Sequence, residues 1–198
     1  MNLQGSSKRG YRVKKDERFE IRIAGFGGQG IVTIGRILGE ALSIYEGKNS
    51  VNTQSYGPES RGGACRSEVV ISDGEIHYPN VRKADLFIAL SQVALDTYIA
   101  DLREGGILLF DPDSVKNVPD RDKYRVYEVP TMEIAHDIGG VKFQNSVALG
   151  ALCPLIDHMI KESSLRQAIS RNVPPKTVET NMNAFERGMN YGEEDRGT

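Results

Sequence analysis

Between an alternating apolar run and a longer amphipathic one, the chain carries Gly25-Phe-Gly-Gly-Gln-Gly30. The preceding Glu20-Ile-Arg-Ile-Ala-Gly25 alternates with the period of a β-strand. After the glycines, Ile31, Ile34, Ile37, Leu38, Ala41, Leu42 and Tyr45 recur at helical spacing, which predicts a helix over 31–45 that stops at Gly47. A strand, a GxGxxG turn and a helix in that order converge backbone N–H groups on a helix N-terminus, the geometry of a phosphate site. Gly25, Gly27, Gly28, Gln29 and Gly30 are therefore candidate cofactor-binding residues, with Gln29 adding a side-chain amide. Gly35 and Gly39 share one face of the helix and let it lie close to a sheet. A classical dinucleotide site also needs an acidic residue about 20 residues on, at the end of the second strand. None stands there, because after Glu46 the next carboxylate is Glu59. The turn thus reads either as an anion site of another kind or as a tight strand-to-helix connection.

The remaining pattern alternates strands and helices. Strands are expected at 50–54, 66–72, 85–91, 107–111 and 124–129. Asp73-Gly74 suggests a hairpin with a second arm at 75–78, which would make part of the sheet antiparallel. Helices are expected at 92–103, ending at Gly105-Gly106, in a short segment before Gly139-Gly140, at 144–160 with a break at Pro154, and at 164–170 and 177–189. The result is an α/β fold: a three-layer Rossmann-like domain with a mixed central sheet and a helical C-terminal part. With 198 residues the chain suits one domain, over 19–190. Residues 1–18 read as a basic, flexible extension, either solvated or a docking arm, and 191–198 as a flexible tail.

Composition excludes several chemistries. Two cysteines, Cys65 and Cys153, cannot ligate a cubane iron–sulfur cluster, which normally needs about four thiolates, and form no zinc motif. A net charge of −2 argues against nucleic-acid binding. No run approaches the ~20 apolar residues of a membrane span, and the N-terminal stretch lacks the apolar core of a secretory signal, so a cytoplasmic protein is expected. His77, His136 and His158 are scattered, and no serine sits in a GxSxG elbow. Asp111-Pro-Asp113 reads as a loop cap rather than a metal site. No catalytic residue and no metal ligand is assigned to this chain. The polar loop Gln54-Ser-Tyr-Gly-Pro-Glu-Ser-Arg-Gly-Gly-Ala-Cys65 adds Tyr56, Glu59, Arg61, Gly62 and Gly63 to the candidate binding residues, because such crowding in a loop marks a recognition surface.

Gly25-Phe-Gly-Gly-Gln-Gly-Ile31 and the polar loop are followed in order by Ser67-Glu-Val-Val-Ile-Ser72 with Tyr78-Pro79, Asn145-Ser-Val-Ala-Leu-Gly-Ala-Leu152 and Asn181-Met-Asn-Ala-Phe-Glu-Arg-Gly188. Together these resemble the gamma subunits of 2-oxoacid:ferredoxin oxidoreductases over about 19–188. The Tyr-Gly-Pro-Glu-x-Arg-Gly-Gly-Ala-Cys form most resembles the 2-oxoglutarate type, with branched-chain 2-oxoacid and indolepyruvate types as alternatives. The resemblance implies a multi-subunit enzyme, inactive as this chain alone. Such an enzyme decarboxylates a 2-oxoacid on thiamine diphosphate, reduces ferredoxin through [4Fe-4S] clusters and transfers the acyl group to coenzyme A. It places thiamine diphosphate on alpha and beta partners and the clusters on beta and delta partners. On this chain it implies a coenzyme A contact, the diphosphate at Gly27 to Gly30 and the ribose 3′-phosphate near Arg61, Arg36 or Arg66. A stand-alone nucleotide-binding regulatory module is the rival expectation.

Overall fold

The computed structural model describes residues 18–55 and 65–195; the stretches 1–17, 56–64 and 196–198, with the expectations placed on them, lie outside the described residues. The strands are β1 (Phe19–Gly25), β2 (Asn49–Ser55), β3 (Cys65–Ser72), β4 (Ala84–Ala89), β5 (Leu102–Phe110) and β6 (Arg125–Glu128). They form one mixed sheet in the order β2-β3-β1-β4-β5-β6. β1, β4, β5 and β6 run parallel, while β3 is antiparallel to both β1 and β2. The helices are α1 (Ile31–Glu40), α2 (Gln92–Tyr98), α3 (Thr131–Ile138), α4 (Gln144–Leu152), α5 (Glu162–Asn172) and α6 (Val178–Asp195).

Both faces of the sheet are covered, so the central strands are apolar on both. Ile21 and Ile23, Leu86 and Ile88, and Ile107 and Leu109 join the core under α1 and α3 to α6. The alternate residues Ala24, Phe87, Ala89, Leu108 and Phe110 join a second core with Ala94 and Leu95 of α2. On that second face Arg22 is buried in β1 and is paired rather than left alone. It donates to Glu68 Oε1 (2.9 Å) and Asp101 Oδ2 (2.6 Å), with its guanidinium 5.0 Å from the centre of the Tyr98 ring.

Several boundaries differ from the expectation. The helix expected over 92–103 ends at Tyr98 in a short 3-10 turn over Ile99–Asp101, and β5 begins at Leu102 and runs through both glycines. Gly105 sits at φ 74° where the pairing of β4 with β5 shifts register, so the Gly-Gly pair is a bulge inside a strand rather than a helix stop. No second hairpin arm forms at 75–78, because both edges of β3 are already taken by β1 and β2. The helix over 31–45 is α-helical to Glu40 and π-helical over Ala41–Tyr45. The helix expected over 144–160 breaks before Pro154 into a 3-10 turn, Cys153–Ile156. α6 runs to Asp195, past the boundary expected at 190.

α4 is buried along its whole length and crosses α6 at backbone contact. A Cβ on Gly150 would stand 1.9 Å from Phe185 O, and one on Gly188 2.1 Å from Val147 O. Ser146 Oγ donates to Asn181 Oδ1 (2.7 Å) across the crossing. The two motifs 145–152 and 181–188 thus meet as one packing unit.

Candidate functional site

Ligands of open α/β sheets bind outside the carboxyl ends of the parallel strands, where strand order reverses. Here β1 is that point: its chain continues through α1 to β2 on one side, while β4 leads through α2, on the opposite face, to β5 on the other. The glycine turn sits at this edge. Gly25 closes β1 with no room for a side chain, since a Cβ there would lie 2.4 Å from Gln29 Oε1. Gln29 is itself built into the turn. Its Oε1 accepts from Phe26 N (2.6 Å), and its Nε2 donates to Leu90 O (2.8 Å), which ties the loop to the end of β4. Its amide is therefore committed to shaping the turn and is not turned toward a ligand.

Gly28 and Gly30 take φ of 95° and 75°, backbone that L side chains rarely adopt. A Cβ on Gly27 or Gly28 would meet nothing within 4 Å, so both lie open to the surface. Gly30 caps α1 without a side-chain hydrogen bond, and Ile34 N is the first α1 donor to find a backbone acceptor, Gly30 O (2.9 Å). Among the described residues the N–H groups of Ile31, Val32 and Thr33 find no acceptor, and they stand at the helix end where the dipole favours an anion.

Gly30 also abuts the far end of the chain. A Cβ on Gly30 would stand 2.8 Å from Asn145 Cβ and 3.3 Å from Asn145 Nδ2, so the N-termini of α1 and α4 meet here. Beside them Asp111, fully buried at the end of β5, accepts from Asp113 N (2.9 Å), Ser114 N (3.2 Å), Thr131 Oγ1 (2.6 Å) and Met132 N (2.7 Å). Asp111 is a cap for a turn and for α3. Because the Thr131 hydroxyl donates to Asp111, it accepts from Gln144 Nε2 (3.0 Å), which leaves Gln144 Oε1 buried with no partner among the described residues.

The second candidate loop, with Tyr56, Glu59, Arg61, Gly62 and Gly63, lies outside the described residues. Its two ends are at this same edge: Ser55 pairs with Arg66, and Cys65 pairs with Gly25. Of the other cations named for coenzyme A, Arg36 is exposed on α1. Arg66 is drawn to the α2 side, 3.9 Å from Glu68 Oε1 and 5.5 Å from the centre of the Tyr98 ring.

A self-contained catalytic centre does not assemble from these residues. Cys65 is buried, and burial pushes its thiol up, toward the neutral form that is not a nucleophile. His77 is exposed 3.9 Å from Glu75 Oε2, His136 sits in the last turn of α3, and His158 stacks edge-on with Phe19. Among the described residues no group of three His, Cys, Asp or Glu side chains is placed to hold a metal ion. Two buried cysteines do not fit an iron–sulfur cluster, whereas the open glycine turn fits an anionic group. Asn145 is the site residue that its own neighbours in sequence could not reveal; the signal was that a second helix must come within side-chain distance of a glycine.

Residues 20–191 match the family described as pyruvate ferredoxin/flavodoxin oxidoreductase. The 2-oxoglutarate synthase subunit KorC of Methanocaldococcus jannaschii is 47% identical over 186 residues, 92% of this chain and 97% of that protein. Its counterpart from Methanothermobacter thermautotrophicus is 46% identical over 177 residues, 86% and 93% of the two chains. A solved structure, the keto/oxoacid ferredoxin oxidoreductase gamma subunit of Geobacter sulfurreducens, superposes with a TM-score of 0.79 at 41% identity, covering 89% of this chain and 99% of that one. With a family match over residues 20–191 and a gamma-subunit structure superposing on 89% of it, the chain belongs to the pyruvate ferredoxin/flavodoxin oxidoreductase family, among the gamma subunits of 2-oxoacid:ferredoxin oxidoreductases.

Proposed function

We propose that this chain is the gamma subunit of a cytoplasmic 2-oxoglutarate:ferredoxin oxidoreductase. In that reaction 2-oxoglutarate, coenzyme A and two oxidised ferredoxins give succinyl-CoA, carbon dioxide, a proton and two reduced ferredoxins. The observation that carries the reading is identity near one half, end to end, with 2-oxoglutarate synthase subunits. The chemistry of this chain supports it from the other side. A buried, neutral Cys65 and separated histidines offer no nucleophile and no base, which suits one share of a reaction divided among chains. Thiamine diphosphate, supplying the electron sink for decarboxylation, belongs in this reading to alpha and beta partners, and the [4Fe-4S] clusters to beta and delta partners. No described helix is long and apolar enough to cross a membrane.

The part left to this chain is to hold and orient. The turn at Gly27, Gly28 and Gly30, with the free N–H groups of α1, is the platform for the diphosphate of coenzyme A. Tyr56, Glu59, Arg61, Gly62 and Gly63 belong to a loop that leaves and re-enters the sheet beside that platform, and complete the site in this reading. Native purification through this chain tests the assembly. Brown partners of distinct size that carry thiamine diphosphate are expected; a colourless single polypeptide would favour the stand-alone nucleotide-binding module instead.

A further inference from the structure

At the amino end of β1, about 20 Å along the strand from the glycine turn, the motif Tyr78-Pro79 stands on the surface with the Tyr78 ring 42% exposed. The Arg82 guanidinium lies over that ring, 4.3 Å from its centre, and the Arg18 guanidinium 5.9 Å from it. Arg18 also donates to Tyr78 O and to Asn80 O (2.7 Å), which ties the loop to the start of β1. Beneath these cations the acids are buried. Glu20 pairs with Arg18 and accepts from Arg82 N (2.7 Å) and Lys83 N (3.1 Å). Asp85 accepts from Glu20 N (2.8 Å) and pairs with Arg103 (3.1 Å), whose Nε donates to Lys83 O (3.0 Å). Two carboxylates therefore lie inside, and four linked cations, Arg18, Arg82, Lys83 and Arg103, lie outside them. Of the acids in the flanking segments, Asp101 is drawn to Arg22 (2.6 Å) and Glu75 stands 3.9 Å from His77. Residues 1–17, which join the chain at Arg18, add Lys8, Arg9, Arg12, Lys14 and Lys15 against Asp16 and Glu17. In a chain of net charge −2, positive charge is thus concentrated at this one end.

We infer that this end of the sheet is a docking surface for an acidic face of another subunit of the same enzyme. The inference rests on the gamma-subunit reading and goes beyond it, since the surface lies at the opposite end of β1 from the glycine turn. Charge complementarity names the partner: guanidiniums presented outward over buried counter-ions match carboxylates on a facing surface. Tyrosine and arginine are also the side chains that most often anchor protein interfaces. The internal acids hold Arg18 and Arg103 in place beforehand, so little side-chain freedom is left to lose on docking. The ring on which a nucleic-acid base would stack carries guanidiniums instead, which favours a protein over a nucleic acid.

The test co-produces the full chain with the other subunits and measures how firmly it retains them at low and high salt. Wild type is compared with the double variant Arg82→Glu, Lys83→Glu and with Arg82→Lys, which keeps the charge. Both positions are exposed and contribute backbone N–H groups to Glu20, so the fold is expected to survive, with the unfolding temperature of the variant chain as the check. Reversal is expected to weaken retention about tenfold at low salt, while Arg82→Lys holds its partners. High salt is expected to weaken wild type toward the reversed chain. Carbodiimide coupling, which joins an amine directly to a carboxylate, is expected to link Lys83 to another subunit. Equal retention by a folded reversed chain, coupling of Lys83 only to copies of this chain, or nucleic acid carried down by wild type and lost on reversal would overturn the inference. The two readings fail differently: a wild-type chain that brings down no partner overturns the gamma-subunit reading and this inference with it, whereas partners held equally by the reversed chain overturn this inference alone.

Discussion

Glu46 ties the end of the first helical segment to the start of α5, accepting from Lys161 N (2.8 Å) and Ser164 Oγ (2.6 Å). α5 has no side-chain cap of its own from Lys161, and a carboxylate far away in sequence instead holds the capping residue and the Ser164 hydroxyl of its first turn. Burial alone would raise this carboxyl. The hydrogen bonds from Ser164 and Lys161, with the positive charges of Lys161 and Lys48, outweigh burial and hold it below its ordinary 4.5. A folded value below the unfolded one means that the stabilisation is complete above about pH 4.5 and is lost as pH falls through the folded value. Glu46→Ala should therefore cost about 1 kcal/mol at pH 7, and denaturant unfolding should show the gap to wild type closing below about pH 4.5. A gap that persisted at pH 3 would show that the charge of Glu46 is not what stabilises the junction.

α4 and α6 form the tightest contact between elements, and its chemistry is an absence of side chains. Gly→Ala inside a helix ordinarily stabilises by about 0.5–1 kcal/mol. At Gly150 the new methyl would stand 1.9 Å from Phe185 O, so the two backbones must separate and the fully buried α4 loses its seat. Gly150→Ala is expected to reverse the usual sign and destabilise by about 2–4 kcal/mol in urea unfolding; a neutral or stabilising result would contradict the close crossing. The apolar periodicity of 178–189 announced a helix, yet nothing local announced its partner. Elements that follow from local pattern were legible: β1, β4, α1 and the break at Pro154. Those decided by long-range pairing were not. The Gly105-Gly106 bulge depends on β4 beside it, and the missing strand at 75–78 depends on β2 reaching β3 first.

The molecule gathers its open donors at one edge of the sheet and its apolar faces behind it. The glycine turn was legible as a strand-to-helix connection because strand, turn and helix are consecutive in the chain. The use of Gln29 was not: its amide is spent on Phe26 and Leu90, and Asn145 is brought against Gly30 from another helix by the fold. Phe26 at 39% and Val93 at 49% exposure flank this edge, apolar surface on loops and helix starts that a partner subunit would cover in the assembly proposed here. The family motifs 145–152 and 181–188, legible only as resemblance, prove to be the packing that sets Asn145 against Gly30. Division of labour among chains is tested by omission. Partners purified without this chain, then with it restored, are assayed for coenzyme A-dependent reduction of ferredoxin on 2-oxoglutarate, pyruvate, 2-oxoisovalerate and indolepyruvate. Reduction on 2-oxoglutarate that appears only when the chain is present is the predicted result; full activity without the chain, or a preference for one of the other three acids, would contradict it.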